Sequence, residues 1–352
     1  TIYVEVKNNK NGQYDLVLVK QDENGEQLDS TATFTVNDET KQVTGRLAVA
    51  DDVQITSDNV NKTDEYTIKE TAAPDGYGKF DGSIIVTVSK KLDGNVYKLQ
   101  GVNYKILDAN GNDITSSKSE DIKMTVESNN VITVYVKNYQ FDLKLVKRIT
   151  EVNGEKVPER IEGVDITNLA NGTKTTAEYN LNKEPVSVKK GDIVKYTLRV
   201  YNEGGIDGYA SEISEDIPEG LEFIWSEETD SSVIEADTTL TELEKDAILY
   251  NQLVWKFDAG DIDEETNRVE LIKTDYLAKG KGAEATTDGA NLIKAFDKTK
   301  GYVDVINNKN PDYKEVSVYL IVLTENKTST IIRNEAAITE DTDSEGNPIK
   351  DR

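Results

Sequence analysis

In this 352-residue chain, three polar residues stand at the ends of predicted strands, each on the apolar face of its strand. Their chemical types fit a single reaction. Successive side chains of a β-strand point to opposite faces, so residues two apart share a face. By this rule Lys20, Glu70 and Asn138 each lie on the face of the apolar residues before them. The runs are residues 14–20, 66–70 and 132–138. The pattern predicts an amine, a carboxyl group and an amide directed towards one core, with Thr133, Tyr135 and Lys137 outside.

Burial would prepare these groups for amide formation. Loss of water lowers the pKa of a lysine amine and raises that of a carboxylic acid, which gives a neutral nucleophile and a proton donor. Lys20 can then attack the side-chain carbonyl of Asn138, while Glu70 polarises that carbonyl and shuttles protons as ammonia leaves. The product is an isopeptide bond between the first and last strands. The alternative is a lysine that reaches solvent or pairs with the acid without a covalent bond.

Composition excludes most other chemistry. The chain has no Cys and no His, which removes disulfides, thiolate ligands and the commonest general base. A net charge of -25 argues against a nucleic-acid partner, because phosphate binding needs clustered Lys and Arg. Acids are abundant, but no motif sets two of them around a substrate as in a glycoside hydrolase. We expect no cofactor, no metal and no enzymatic turnover.

Strand and turn signals dominate the elements that must position these residues. Alternating runs rich in Val, Ile, Thr and Tyr are separated by Asn, Gly and Asp turns, as in antiparallel sandwiches. Helical periodicity is weak, and residues 241–251 and 291–298 are the two short helix candidates. No membrane span and no signal peptide is expected in this sequence. The predicted fold class is all-β.

One strand-linker-strand pattern occurs twice and sets the predicted domain boundaries. Residues 2–8 are followed by 14–20, and the similar residues 132–138 are followed by 141–147. We therefore predict a closing strand of an upstream domain at 1–8, one complete domain at 9–139 and a larger one at 140–352.

The first domain resembles a known family. Glu70-Thr71-Ala72-Ala73-Pro74-Asp75-Gly76-Tyr77, with the runs that end in Lys20 and Asn138, resembles the collagen-adhesin B-type (SpaA-like) domain of Gram-positive adhesins and pilins. The resemblance implies an immunoglobulin-like sandwich with a spontaneous bond between Lys20 and Asn138, assisted by Glu70. It also makes Asn8 the acceptor of the upstream domain, whose lysine is not in this sequence.

The second domain repeats the two ends of this pattern. Lys147 shares a face with the apolar residues of 141–145, and Asn334 with those of 332–338, so these two residues are the expected pair. The segments 189–204 and 215–221 resemble the isopeptide-forming domain of fimbrial proteins.

In that family an acidic residue lies three positions before a proline. Here the proline is Pro218, so the corresponding acid is Glu215. Strand alternation agrees, because Ile213, Glu215 and Ile217 share a face, and Asp216 is the second choice. The family more often has Asp at this position.

Two other features are interpreted as structural. The acidic clusters 261–265 and 341–346 are expected to be solvated turns, because the second resembles only half a calcium loop and has Arg352 at its twelfth position. Trp225 and Trp255 are expected in the core or at a sheet edge.

The primary functional hypothesis is a structural segment of a bacterial surface protein. Crosslinked tandem immunoglobulin-like domains would form a stalk or fibre, anchored to the cell wall or part of a surface fibre. Its expected partners are neighbouring domains of the same protein, other fibre subunits, or a host or matrix ligand. The alternative is an adhesin module that binds such a ligand through loops of the larger domain. Neither nucleic acid nor membrane contact is expected of this chain.

Overall fold

Strands far outnumber helices in the described residues, in agreement with the predicted all-β class. The computed structural model describes residues 12–157, 162–182, 184–225, 229–255, 261–263, 265, 268–323 and 331–350. The chain divides into two units, Thr1–Gln140 and Phe141–Arg352. The predicted closing strand 1–8, with Asn8, lies outside the described residues.

The described part of the first unit contains nine strands. They are β1 Gln13–Gln21, β2 Thr31–Val36, β3 Glu39–Thr44, β4 Arg46–Gln54, β5 Asp64–Ala72, β6 Ser83–Asp93, β7 Val96–Leu107, β8 Ile122–Val126 and β9 Val131–Lys137. One sheet has the order β4-β1-β9-β8 and the other β3-β2-β5-β6-β7. The first and last strands, β1 and β9, are parallel neighbours, with Lys20 opposite Val136.

The core of the first unit is built from the inward faces of both sheets. Leu16 and Leu18 of β1 join Phe34, Ile68 and Val86 of the other sheet in one buried cluster. This burial is the main stabilising contribution, at about 25 cal/mol per Å² of apolar surface removed from water.

The opposite face of β1 and β9 is not exposed to solvent, which corrects the expectation that Thr133 lies outside. Thr133, predicted to lie outside, is fully buried, and Val17, Val19 and Val131 form a small apolar cluster with Tyr135. The alternation itself is regular. Both faces of this strand pair are covered, so alternation separates two buried environments instead of core from water.

The second unit contains twelve strands within the described residues. They are β10 Leu143–Val152, β11 Glu155–Lys156, β12 Gly163–Asp165, β13 Glu178–Asn180, β14 Ile193–Asn202, β15 Gly208–Asp216, β16 Leu221–Phe223, β17 Ile262–Asp263, β18 Arg268–Val269, β19 Leu271–Thr274, β20 Tyr313–Val322 and β21 Glu335–Asp343. The larger sheet is β11-β10-β14-β20-β16, and the sheet β19-β15-β21 contributes the other side of the core. The first strand, β10, and the last, β21, therefore belong to different sheets.

Helices are short and occur between strands of the second unit. They are α1 Thr167–Ala170, α2 Ser231–Ala236 and α3 Glu242–Val254, with a 3-10 turn at Gly282–Ala285. The helix predicted at 241–251 is present, and Thr241 caps it reciprocally with Glu244. Within the described residues, no helix combines the length and apolar character needed to cross a membrane.

The prediction of a helix at 291–298 is wrong, because these residues form no helix. The Asn291 amide donates to the carbonyls of Tyr276, Ala278 and Lys281, and Ile293 forms a β-bridge with Gly208. These contacts hold the segment as an anchored loop, because its polar groups find partners outside any helix.

The two tryptophans differ in their exposure to solvent. Trp255 is 2% exposed and donates its indole N–H to Ser317 O, whereas Trp225 is 38% exposed. The cluster 341–346 spans the last residues of β21 and the turn that follows, in which Asp343 accepts from the backbone N–H of Glu345 and Asn347.

Candidate crosslinking sites

The first site lies where β1 and β9 end. Lys20 is the second-last residue of β1, and Asn138 follows β9 directly, with its backbone N–H donating to Gln21 O. Glu70 comes from β5 of the facing sheet, where it lies opposite Phe34. Two parallel strands therefore bring the amine and the amide side by side, and the other sheet supplies the carboxyl group.

Glu70 contacts both partners inside the core. Lys20 Nζ lies 3.1 Å from Glu70 Oε1, and both side chains are completely buried. Asn138 Nδ2 donates to Glu70 Oε2 at 3.1 Å, and Asn138 is 1% exposed. The ring of Phe34 lies 5.4 Å from Lys20 Nζ. The carboxyl group thus bridges the lysine amine and the asparagine amide nitrogen.

The hydrogen bonding of this site is incomplete. Lys20 Nζ approaches Glu70 closely without hydrogen-bond geometry, and Glu70 Oε1 and Asn138 Oδ1 have no hydrogen-bond partner among the described residues. Buried polar groups are normally satisfied, and each unsatisfied one costs about 1–3 kcal/mol. Burial also lowers the pKa of Lys20, although Glu70 opposes that shift. The site favours a neutral amine, as the proposed chemistry requires.

The loop after Glu70 explains its distinctive sequence. Pro74 is buried, and Gly76 turns the chain at φ +80°, a conformation that favours glycine. The backbone then returns to the site, where Phe80 N donates to Glu70 Oε2 at 2.9 Å and Gly78 O accepts from Asn138 Nδ2. The loop therefore orients the acid and the amide together.

The second site gathers Lys147 of β10, Glu215 of β15 and Asn334, which directly precedes β21. Glu215 lies opposite Ala336 and Asp216 opposite Glu335 in the β15–β21 pair, so Asn334 comes just before the paired residues of β21. Lys147 approaches from β10 of the larger sheet. Glu215 is fully buried, whereas Asp216 is exposed, as alternation along β15 predicts.

One oxygen of Glu215 contacts both partners. Lys147 Nζ is 2.5 Å from Glu215 Oε1, and Asn334 Nδ2 donates to the same oxygen at 2.6 Å. Lys147 also donates to Glu335 O at 3.2 Å. A neutral amine that gives its two N–H groups to these two acceptors keeps its lone pair for attack on carbon.

Burial shifts both titrating groups of the second site towards their neutral forms. It lowers the pKa of Lys147 to about 8, against the opposing effect of Glu215. It raises the pKa of Glu215 to about 7, while Lys147 and Asn334 act in the other direction. The two pKa values are brought close together, which makes proton exchange between the groups easier.

The second site is less sealed than the first. The Lys147 side chain keeps 12% exposure, compared with 0% for Lys20. A groove of about 450 Å³ is lined by Asp216 and Glu335, the chain neighbours of Glu215 and Asn334, with Arg268 and Arg333. Water therefore has closer access to this site.

Two buried ionic groups were not found by sequence reasoning. Lys90 pairs with Asp64 at 2.5 Å, and Asp64 also accepts from Tyr14. Glu162 accepts from Arg148, Arg199 and Tyr201 in the second unit. The parity of Lys90 on β6 was the available signal for the first group. Its side chain has a charged partner and no described amide acceptor, so it is a natural control for the two lysines that are predicted to form crosslinks.

Comparison with known proteins identifies a related domain in the first unit. Residues 14–98 match the family model described as the SpaA prealbumin-like fold domain. The matched stretch contains Lys20 and Glu70. No curated protein matches the chain.

Several solved structures are distantly similar. A C-terminal fragment of the pilus adhesin SpaC from Lactobacillus rhamnosus GG is 20% identical, over 36% of this chain and 44% of that one, with a TM-score of 0.24. BcpA, the major pilin subunit of Bacillus cereus, is 12% identical, over 96% of this chain and 66% of that one, with a TM-score of 0.28. The chain thus spans under two thirds of either structure. TM-scores this low carry no argument about function. The chain is predominantly β, and its residues 14–98 are similar to a SpaA prealbumin-like domain.

Proposed function

We propose that this chain is a structural stalk or fibre segment of a bacterial surface protein, and that each unit forms one Lys–Asn isopeptide bond within itself. One observation carries the proposal: Glu70 contacts both Lys20 and Asn138 in a completely buried site. The geometry of Lys147, Glu215 and Asn334 supports a second bond of the same kind.

The reaction needs no group from outside the triad. Lys20 Nζ attacks Asn138 Cγ, the Nζ–Cγ bond forms, and the Cγ–Nδ2 bond breaks. Glu70 carries one proton from the amine to the departing nitrogen, which leaves as ammonia, and the acid returns to its starting state. Lys147, Asn334 and Glu215 take the same roles in the second unit.

The product would also resolve two unsatisfied polar atoms of the first site. The new amide has one N–H group, which is placed to donate to Glu70 Oε1, 3.1 Å from Lys20 Nζ. Lys20 Nζ and Glu70 Oε1 then gain partners, and no charged amine remains buried.

The position of the bonds fits a mechanical role. Lys20 lies near the end of the first strand, and Asn138 directly follows the last strand of the first unit. Tension applied to the two ends of the unit would pass through the covalent bond and bypass residues 21–137. The chain has no cysteine for a disulfide in this role. Each bond forms once, so the chemistry is self-modification and not enzymatic turnover.

Intact-protein mass spectrometry tests the proposal. We expect the mass of the chain to fall below the sequence mass by two ammonia molecules. Lys20→Ala and Glu70→Ala should each restore one ammonia mass, after allowance for the substitution, and so should Lys147→Ala and Glu215→Ala. Digestion should yield peptides that join Lys20 to Asn138 and Lys147 to Asn334.

Lys90→Ala is the matched control. It removes a fully buried lysine side chain that pairs with Asp64 in the first unit but contacts neither triad. This variant should keep both ammonia losses. A wild-type mass equal to the sequence mass would refute the crosslinks.

Ligand binding by the second unit is the alternative function. Val305 and Ile306 are 62% and 84% exposed in the loop before β20, which places apolar side chains at a surface. Binding to immobilised matrix protein that is lost in Val305→Ser and Ile306→Ser variants, with both crosslinks intact, would assign this function to the loop.

A further inference from the structure

The side-chain amide of Asn138 is held in one orientation. Its Nδ2 donates to Glu70 Oε2 at 3.1 Å and to the backbone carbonyl of Gly78. A primary amide nitrogen has two N–H groups, so these two acceptors use both of them. Asn138 is 1% exposed, and its Oδ1 has no hydrogen-bond partner among the described residues. The nitrogen that leaves in the proposed reaction therefore lies between two acceptors.

The Gly78 carbonyl is fixed from both sides of the chain. The N–H of Gly78 donates to Tyr139 O at 2.9 Å. Two residues later, Phe80 N donates to Glu70 Oε2 at 2.9 Å. The loop is thus tied to the residue after Asn138 and to the acid itself. Turning the carbonyl away from the amide would strain or break these hydrogen bonds.

The second site lacks such a carbonyl group. Asn334 Nδ2 donates to Glu215 Oε1 at 2.6 Å, and within the described residues no backbone carbonyl accepts from this side chain. Glu215 can accept or donate near neutral pH, because burial raises its pKa to about 7. A backbone carbonyl can only accept. The two sites therefore differ in what they require of the side chain that is attacked.

We propose that the Gly78 carbonyl makes the first site specific for asparagine, whereas the second site also reacts with an aspartic acid. This inference rests on the proposed crosslinks. Amide formation from an aspartic acid needs one proton shared between the two carboxyl groups of the site. In Asn138→Asp an oxygen would replace the nitrogen between Glu70 and Gly78. One proton serves only one of these two contacts, so the other contact would set two oxygens against each other.

The second site has only the contact with Glu215 to satisfy, and one proton is enough for it. In Asn334→Asp, Lys147 Nζ attacks Cγ, the Nζ–Cγ bond forms and the Cγ–O bond breaks. The departing hydroxyl group takes one proton from the amine through Glu215 and leaves as water, in place of ammonia. The crosslinked product is the same molecule as the wild-type product.

The test compares Asn138→Asp with Asn334→Asp in the full chain. Chains made in a short cell-free translation pulse are chased, quenched in acid and digested. Mass spectrometry then measures how fast each crosslinked peptide forms, and the unchanged site of each variant is the internal clock. Dividing the rate with Asp by the rate with Asn cancels the lysine and the acid of each site. We expect this ratio to be about a hundredfold lower at the first site, because a site built around a hydrogen bond rejects an analogue that lacks the donor.

An ester in place of the peptide bond between Gly78 and Lys79 tests the carbonyl group itself. The α-hydroxy analogue of lysine, introduced at position 79 during translation, keeps the side chain but makes the Gly78 carbonyl a weaker acceptor. We expect the preference of the first site for asparagine to fall about fivefold, the effect of part of one hydrogen bond. The second site should be unchanged.

Two results would overturn the inference and leave the crosslinks intact. One is an equal ratio of rates at the two sites, whether both are fast or both are slow. The other is an unchanged preference in the ester chain, which would assign the rejection of aspartate to burial alone. Unfolding of the first unit in Asn138→Asp, with Asn138→Ala still folded by limited proteolysis, would be the same rejection in a stronger form and would support the inference. Failure of the wild-type chain to lose ammonia at either site would overturn the proposed crosslinks as well.

Discussion

The two candidate crosslinking sites contain the same three residue types but distribute them differently between sheets. In the first unit, Lys20 and Asn138 lie at the ends of neighbouring parallel strands, and Glu70 faces them from the other sheet. In the second unit, Glu215 lies on β15, Asn334 directly precedes the neighbouring strand β21, and Lys147 comes from the facing sheet. The chemistry needs only that the three groups meet. The strand arrangement decides whether the bond would join neighbours within a sheet or join two sheets.

The two sites also differ in how deeply their lysine side chains are buried. The first is sealed on all sides, whereas the second keeps an exposed fraction of its lysine beside a polar groove. Loss of one partner should therefore cost more in the first site, because the remaining charge has no route to water.

The largest expected difference is mechanical. Stretching the wild-type chain between its ends should release neither residues 21–137 nor residues 148–333, because covalent bonds would carry the tension past them. Lys20→Ala should release only the first segment and Lys147→Ala only the second, longer one. Single-molecule force spectroscopy measures these lengths directly. Release of either segment in the wild-type chain would contradict its crosslink.

Thermal stability should distinguish the two acids. Glu70→Ala leaves a completely buried lysine without its charge partner and should destabilise the first unit by about 3–5 kcal/mol, in addition to losing the crosslink. Glu215→Ala should cost less, because Lys147 retains Glu335 O and some exposure. Scanning calorimetry of both variants, with Lys90→Ala as the control for a buried lysine, would test the order. Equal losses in the two units would argue against the difference in burial.

The pH dependence of bond formation should reflect the second site directly. The productive state needs neutral Lys147 and protonated Glu215, with pKa values of about 8 and about 7. Below pH 7 both groups hold protons and the amine is charged; above pH 8 both have lost them and the acid is ionised. The rate should therefore peak between pH 7 and pH 8. Pulse-chase mass spectrometry across pH would reveal this maximum, and a rate that rises steadily to pH 10 would exclude Glu215 as the acid.

Asp216→Asn should have the smallest effect and should clarify the choice between the two neighbouring acids. The Asp216 charge raises the pKa values of both Lys147 and Glu215, so its removal should move the whole rate profile to slightly lower pH. The crosslink should still form, because Asp216 is exposed. Loss of the crosslink in Asp216→Asn but not in Glu215→Gln would reverse the assignment.

Strand parity accounts for most of what could be predicted about the sites. The positions of Lys20, Glu70 and Asn138 relative to their apolar neighbours follow from local backbone geometry, and the same rule separates Glu215 from Asp216. The rule failed for Thr133, because parity states which residues share a face and not what covers that face. The failed helix at 291–298 has a similar cause, since Asn291 is held by distant carbonyls.

The sequence by itself determined the strand-rich fold, the absence of thiol chemistry and the inward direction of the reacting side chains, because these depend on composition and on the two-residue period of a strand. Only the tertiary structure decided which sheets bring the groups together, how far water reaches Lys147, and that the loop at Gly78 contacts the Asn138 amide nitrogen. Those properties depend on contacts between residues far apart in the chain, which no local pattern specifies.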